Sequence, residues 1–272
     1  MPMSKSATPL ETYNGIVVAR REAGDTGCYL DILTDEFGIV EASAHGVKKM
    51  NSALMSCSQV FSYAKFCFSG GKRRTVNSAK PIYSFHQLGG DIVKLALASY
   101  FAQAVRFCTM TEQTGGDSES IVRLLAISLF EILKAENEQR LEQIRAAFEL
   151  RFTADMGFRP DLRGCDNCGC YEHEEFFFLP EQGRIFCGGC FDRDYDGGYT
   201  KLTTGALSAL RNIIYAPLDR CFKYTADSDD TALISHITEH YFLSRSESGE
   251  NTLRRKGALS ALEYYKGIRL EK

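Results

Sequence analysis

Residues 13–44 read YNGIVVARREAGDTGCYLDILTDEFGIVEASA, and three strands joined by two turns account for all of it. The runs 13–20, 28–34 and 37–44 are rich in β-branched and aromatic residues, which suit a pleated, half-buried surface. Gly24-Asp25-Thr26-Gly27 separates the first two runs and Asp35-Glu36 the second two, as turn chemistry requires. Two more runs follow, 59–68 (QVFSYAKFCF) and 74–85, reached through a loop around 48–56 and across Ser69-Gly70-Gly71-Lys72. Five short strands in a Gly-punctuated block predict a small closed barrel, because closure removes the exposed edges of so short a sheet. An OB-fold and an SH3-like barrel both fit. Strand count alone does not separate them.

From about Gly90 the apolar period becomes helical. Residues 91–109, 120–135 and 139–156 carry the pattern, and Gly157 with Pro160 ends the third run. Beyond a cysteine-rich segment, 203–215, 230–243 and 253–265 read as three further helices, with Asp227-Ser228-Asp229-Asp230 supplying capping residues ahead of the second. The expected fold class is therefore α+β: a β-barrel domain over residues 1–86, then an α-helical domain over 87–272 with a cysteine module inserted at 163–192. No internal repeat is visible.

The inserted module holds Cys165-Asp-Asn-Cys168 and Cys187-Gly-Gly-Cys190, a C-x2-C-x18-C-x2-C array. Thiolates on two tight turns present two sulfurs each, the donor set of a structural Zn²⁺. Between them, residues 174–179 and 184–186 flank a Pro180–Gly183 turn and read as a hairpin too small to fold on its own core. Four thiolates leave no open coordination position, so Cys165, Cys168, Cys187 and Cys190 are expected to serve structure and not catalysis. Cys170 and His173 stand nearby as substitute ligands. His236 and His240 are four apart on a predicted helix, but no third ligand accompanies them, and a packed or surface pair accounts for them better than a metalloenzyme site.

The composition, 44% hydrophobic and 25% charged in 272 residues, is that of an ordinary soluble globular protein. No stretch approaches the ~20 apolar residues of a membrane helix; the run 126–133 is interrupted by Ser128 and Glu131. The first ten residues are polar and do not read as a secretory signal. A cytoplasmic location is expected, where the ten cysteines stay reduced. The net charge of −3 hides an asymmetry: residues 1–86 hold ten Lys and Arg against seven Asp and Glu, and the remainder is acidic. Within that segment Arg20, Arg21, Lys48, Lys49, Lys72, Arg73, Arg74 and Lys80 fall at strand ends or loops. Together they form a candidate patch for sugar–phosphate chains, with Tyr29, Phe61, Tyr63 and Phe66 as candidate platforms for unpaired bases. Charged loops and core aromatics explain each residue singly just as well. No phosphate-binding G-x-x-x-x-G-K-[ST], no G-x-G-x-x-G and no G-x-S-x-G occurs, and no acidic cluster is laid out for two-metal chemistry. An enzyme is not expected.

Gly15-Ile16-Val17-Val18, Gly24-Asp25-Thr26, Leu33-Thr34-Asp35-Glu36-Phe37-Gly38 and Ala44-His45-Gly46-Val47-Lys48-Lys49 with Ser52, followed by a four-cysteine insert between helices, resemble the RecO family of bacterial recombination mediators. The likeness runs the length of the chain and is loosest in the C-terminal helices. The chain departs from the pattern at Cys28, where the family commonly carries Arg. The resemblance implies an N-terminal OB-fold, a helical C-terminal domain, a zinc module and no enzymatic cofactor. It also implies binding to single-stranded and double-stranded DNA, annealing of complementary strands, and recombinase loading with RecR on DNA coated by single-strand binding protein, whose acidic C-terminal tail would contact the helical domain. Association with the nucleoid when bound to DNA follows. Two rivals are a zinc-stabilised interaction adaptor with no direct DNA contact, and a metal-dependent hydrolase built on His236 and His240.

Overall fold

The computed structural model describes residues 10–47, 53–70, 74–109, 118–245 and 251–270. Five strands, β1 (Glu11–Ala23), β2 (Gly27–Thr34), β3 (Gly38–Ala44), β4 (Ser62–Ser69) and β5 (Arg74–Ser84), close into a barrel in the order β1-β2-β3-β5-β4. All neighbours are antiparallel except β3 and β5, which run parallel over Ala42↔Arg74, Ser43↔Thr75 and Ala44↔Val76. A five-stranded Greek-key barrel of this kind is an OB-fold. Closure depends on the long β1, whose first half pairs with β4 and whose second half pairs with β2. A bulge between Val17 and Ala19 turns the strand from one neighbour to the other. Gly15 lies where β1 serves both, and a Cβ there would stand 2.7 Å from the Leu33 carbonyl oxygen. Only glycine fits that approach.

Alternation fills the interior. Leu30 and Ile32, Val40 and Ala42, and Ala64, Phe66 and Phe68 point inward together with Cys28 and Cys57. Cys28 is buried there. Cys28 serves there as a small core hydrophobe. The segment expected as a plain loop around 48–56 contains a short helix, α1 (Ala53–Cys57), which delivers Cys57 to the core. The fourth strand begins later than its sequence suggests, because Phe61 takes a left-handed backbone (φ 67°) while its N–H bonds the Val17 carbonyl at 2.8 Å.

The chain divides into two compact units, Met1–Ala126 with Gly267–Lys272, and Ile127–Lys266. The first unit takes in more than the barrel. It includes α2 (Ile92–Cys108), whose N-terminus is capped by Asp91 through the amides of Val93 and Lys94. Asp31 on β2 ties α2 to the barrel, accepting from Arg106 Nε at 2.5 Å and from Arg21 at 3.0 Å. Helix α3 (Ser118–Lys134) follows.

The second unit is organised around α4 (Glu138–Asp155), started by Asn137 as cap. Residues 143–150 of α4 are all buried, so this stretch of helix is enclosed on every side and has no solvent stripe. Its polar groups must therefore find partners inside. Arg145 does so with Glu142 (2.8 Å), Glu149 (2.8 Å) and Glu239 (3.0 Å), the last on α6 (Ser228–Arg245). From α7 (Asn251–Leu270), Tyr265 donates to Glu142 at 2.9 Å and Lys266 to Glu239 at 2.6 Å. Burial pushes the Glu149 carboxyl up, and Arg145 and a 2.9 Å bond from Thr238 oppose that. Arg145→Ala would leave three carboxylates without their shared cation, so a loss of about 3 kcal/mol is expected in urea unfolding. A loss below about 1 kcal/mol, the range of an exposed pair, would contradict this account.

Around α4 lie α5 (Thr204–Tyr215), capped by Thr203, and a small antiparallel sheet of β6 (Phe176–Leu179), β7 (Arg184–Cys187) and β8 (Thr200–Leu202) in the order β7-β6-β8. The expected hairpin is β6 and β7. The third strand has no signal of its own, being three residues beside Gly197-Gly198. Among the described residues, no helix is long and apolar enough to cross a membrane.

Candidate metal centre and nucleic-acid interface

Cys165 and Cys168 lie on a tight turn, where the Gly169 amide bonds the Cys165 carbonyl at 2.8 Å and Gly169 takes φ 72°. Cys187 ends β7 and Cys190 follows on a second turn, its amide on the Cys187 carbonyl at 2.9 Å. The turns are joined by the Asp166 amide on the Ile185 carbonyl (2.9 Å) and the Cys187 amide on Cys165 Sγ (3.3 Å). The four sulfurs consequently lie within 4.8 Å of one another, Cys168 and Cys187 at 3.8 Å. This is the only such group among the described residues, and it can hold one metal ion.

The thiols are already unequal. Burial opposes ionisation of Cys165, but the amides of Cys168, Cys187 and Asn167 outweigh it and hold that thiol at about 6. At Cys190 the Asn167 contact works downward, yet the neighbouring Cys187 and Cys168 groups push it up to about 12. Like charges on sulfurs this close repel, and a cation bound by all four removes the conflict. Cys170 is not one of the four. Its carbonyl receives the Cys165 amide (2.9 Å), and burial pushes its thiol up to about 12. His173 bonds backbone atoms of Glu175. His236 and His240 are exposed on α6 with ring centroids 6.5 Å apart and no third ligand among the described residues.

The module is fastened at two places. Arg211 of α5 donates to the carbonyls of Leu162 (2.8 Å), Arg163 (3.2 Å) and Tyr171 (2.9 Å), and its guanidinium stacks 4.0 Å over Tyr171. Arg245 of α6 donates to the carbonyls of Pro180 and Glu181 in the β6–β7 turn, both at 2.7 Å. A groove of about 880 Å³ lies between the module and α5, bordered by Tyr171, His173, Leu207 and Tyr215.

On the barrel, the basic residues singled out in the sequence separate into three groups. Lys48, Lys49, Lys72 and Arg73 lie outside the described residues. Arg20, Arg21 and Arg74 each meet carboxylates: Arg20 with Glu22 at 2.9 Å, Arg21 with Glu41 at 2.6 Å and Asp31, and Arg74 with Glu11 at 3.5 Å. They do not converge. Arg21 stands opposite Tyr29 near the start of β2, whereas Arg74 stacks on Phe37 (5.1 Å) in the turn after β2 ends. Arg20 Nε is buried without a hydrogen-bond partner. Of the described candidates, Lys80 alone is exposed and outside any ion pair, opposite Lys65 on β4. Lys65 escaped the sequence reading, although its place between the inward residues Ala64 and Phe66 marks it as outward. Of the aromatic candidates, Phe61 and Phe66 are core, Tyr63 is half-buried and Tyr29 is 46% exposed.

Comparison with known proteins covers both halves of the chain. The family described as "Recombination protein O N terminal" matches residues 8–85, and "Recombination protein O C terminal" matches residues 89–254. A protein of Symbiobacterium thermophilum called DNA repair protein RecO is 28% identical over 242 residues, 88% of this chain and 93% of its own length. A protein of the same name from Alkaliphilus metalliredigens is 33% identical over 66% of this chain and 72% of its own. Another, from Acetivibrio thermocellus, is 24% identical over 88% and 93%.

Proposed function

The chain belongs to the RecO family, and from that premise we propose that it is a non-enzymatic recombination mediator in DNA repair. It binds single-stranded DNA, anneals complementary strands, and assists recombinase loading with RecR on DNA coated by single-strand binding protein, whose acidic tail meets the helical domain. The binding domain is residues 1–86, the helical domain is 87–272 with its module at 163–192, and the protein works in the cytoplasm on nucleoid DNA, double-stranded as well as single-stranded. The observation that carries the reading is the closed OB-type barrel in a chain matched from residue 8 to residue 254 by the two halves of one family.

The mechanism is neutralisation. Two DNA strands repel through their phosphates, and cations of the barrel segment, Lys48, Lys49, Lys72, Arg73 and Lys80 foremost, lower that repulsion until bases pair. Arg20, Arg21 and Arg74 contribute only by exchanging a carboxylate for a phosphate. The bound ion is Zn²⁺. A tetrahedron with Zn–S bonds of about 2.3 Å sets sulfurs about 3.8 Å apart, in keeping with the 3.8 Å between Cys168 and Cys187. The ion would fix the fold of residues 163–192 and take no part in bond-making.

One observation favours a second reading, an interaction adaptor that never touches DNA: three of the four described basic candidates are tied to carboxylates. A strand-annealing assay with and without single-strand binding protein separates the two. Acceleration of pairing between bare complementary oligonucleotides is expected. No acceleration, and no binding to a bare oligonucleotide, would leave the adaptor.

A further inference from the structure

We infer that the outward face of β4 and β5 is a track for a single DNA strand, in which Lys65, Tyr63 and Tyr83 join Lys80, a deepening that rests on the nucleic-acid reading above. Ala64, Phe66 and Phe68 fill the barrel, so Tyr63 and Lys65 point out. The antiparallel register sets Lys80 opposite Lys65 and Tyr83 opposite Tyr63. On β4 the ammonium row lies one pleat repeat, about 6–7 Å, from the phenol row, and on β5 the step between them includes a bulge that accommodates Ile82.

The lysine row costs the barrel stability. Like charges directly opposite on a sheet repel, and neither Lys65 nor Lys80 has an ion-pair partner among the described residues to offset that. A polyanion removes the repulsion. The neighbouring row supplies what bases need: Tyr83 is 36% exposed, Ile82 beside it 50%, and Tyr83 is steadied by an edge contact with Phe85 at 4.8 Å. Phosphates against one row and stacked bases against the next is the pattern of single-strand grooves.

The acidic groups nearby mark a border. Burial, then the charges of Asp35 and Glu119, push the Tyr63 phenol up, so it stays neutral. Asp35 is itself held by Asn14, through its amide (3.2 Å) and its Nδ2 (2.8 Å), and Asn14 is the β1 neighbour of Lys65. A strand on this face is therefore kept toward β5. The face is also distinct from the outward side of β2 and β3, where Glu41 and Asp31 engage Arg21.

The test uses the full chain with Lys65→Gln and Lys80→Gln combined, and separately Tyr83→Trp, which creates a unique fluorophore because the protein has no tryptophan. For a labelled oligothymidine, the slope of log affinity against log salt should fall by ~1.4 in the double variant, ~0.7 per lost phosphate contact. Its melting temperature should be unchanged or higher, since a repulsive pair is gone. The indole emission of the Tyr83→Trp variant should be quenched as oligothymidine binds. An unchanged slope with unquenched emission, while the unaltered protein binds, overturns the track and leaves the nucleic-acid reading standing. No binding by the unaltered protein overturns both. If the double variant loses an acidic peptide and keeps oligothymidine, the face belongs to a protein partner and the inference fails.

Discussion

Removing the metal with a chelator is expected to unfold residues 163–192 and to lower the melting temperature of the whole second unit by roughly 10 °C or more. Structural zinc supplies about 10–16 kcal/mol of apparent binding energy in small modules, comparable to the entire net stability of a domain at about 5–15 kcal/mol. The sheet β6–β7–β8 has eleven residues in strands and cannot replace that with apolar burial. The effect spreads because the module is a docking partner for two helices. Arg211 satisfies two of its carbonyls and that of Leu162 just before it, and Arg245 satisfies two more. Once the module melts, those guanidinium groups lose their acceptors, and the aromatic contact of Phe178 with Tyr241 at 5.6 Å is lost. Cys187→Ser should act like the chelator, since Cys187 is buried and its amide also binds Cys165 Sγ. Elemental analysis should find one zinc per chain in the unaltered protein. An unfolding curve indifferent to chelation would sink the structural role, and an ion with an open ligand position would redirect attention to chemistry.

The second large effect concerns DNA. Replacing Lys48, Lys49, Lys72 and Arg73 together by Ala is expected to weaken oligothymidine binding by roughly 10²–10³ at 0.1 M salt. Four phosphate contacts at ~0.7 decade each, referred to 1 M salt, give that magnitude. The salt slope should fall by ~2.8 for the same reason. Arg74 is left in place deliberately. Its guanidinium lies over Phe37 and Tyr13 beside Glu11, with its side chain 11% exposed, so truncation would disturb packing as well as charge. Circular dichroism and melting should be unaltered. If affinity and slope match the unaltered protein, these four residues are not the contact surface, and the interaction adaptor becomes the better account.

Much of this was legible in the chain. The turn residues at 24–27 and 35–36 and the alternation on either side gave β2 and β3 to within one residue, since turn chemistry and period are both local, while β1 extends beyond the expected 13–20 to Glu11–Ala23. The four-cysteine site was legible because spacing alone brings each pair together. What eluded the sequence was non-local. Arg145 and Glu149 are charged residues within the helical run 139–156 and carry no sign of burial in the sequence. They are buried because α4 is enclosed by neighbours that no periodicity announces. Lys65 and Lys80 are fifteen positions apart and meet only through strand register. Arg20 and Arg74 read as free cations, and their carboxylate partners are likewise set by pairing. Register is a property of two strands, so neither strand states it alone.

Among the described residues, the parallel contact between β3 and β5 spans three residue pairs, against eight for β1 with β2. That short join shapes how the barrel is made and how it yields. It unites segments about thirty positions apart and must wait for both hairpins, so it closes after the local pairs have formed. Among the described residues it also pairs over the shortest length, and local opening begins where backbone bonds are few. The barrel is in effect a three-stranded meander and a hairpin, joined broadly between β1 and β4 and narrowly at this clasp. A ligand lying across the clasp would stiffen the whole circumference by holding one weak line shut.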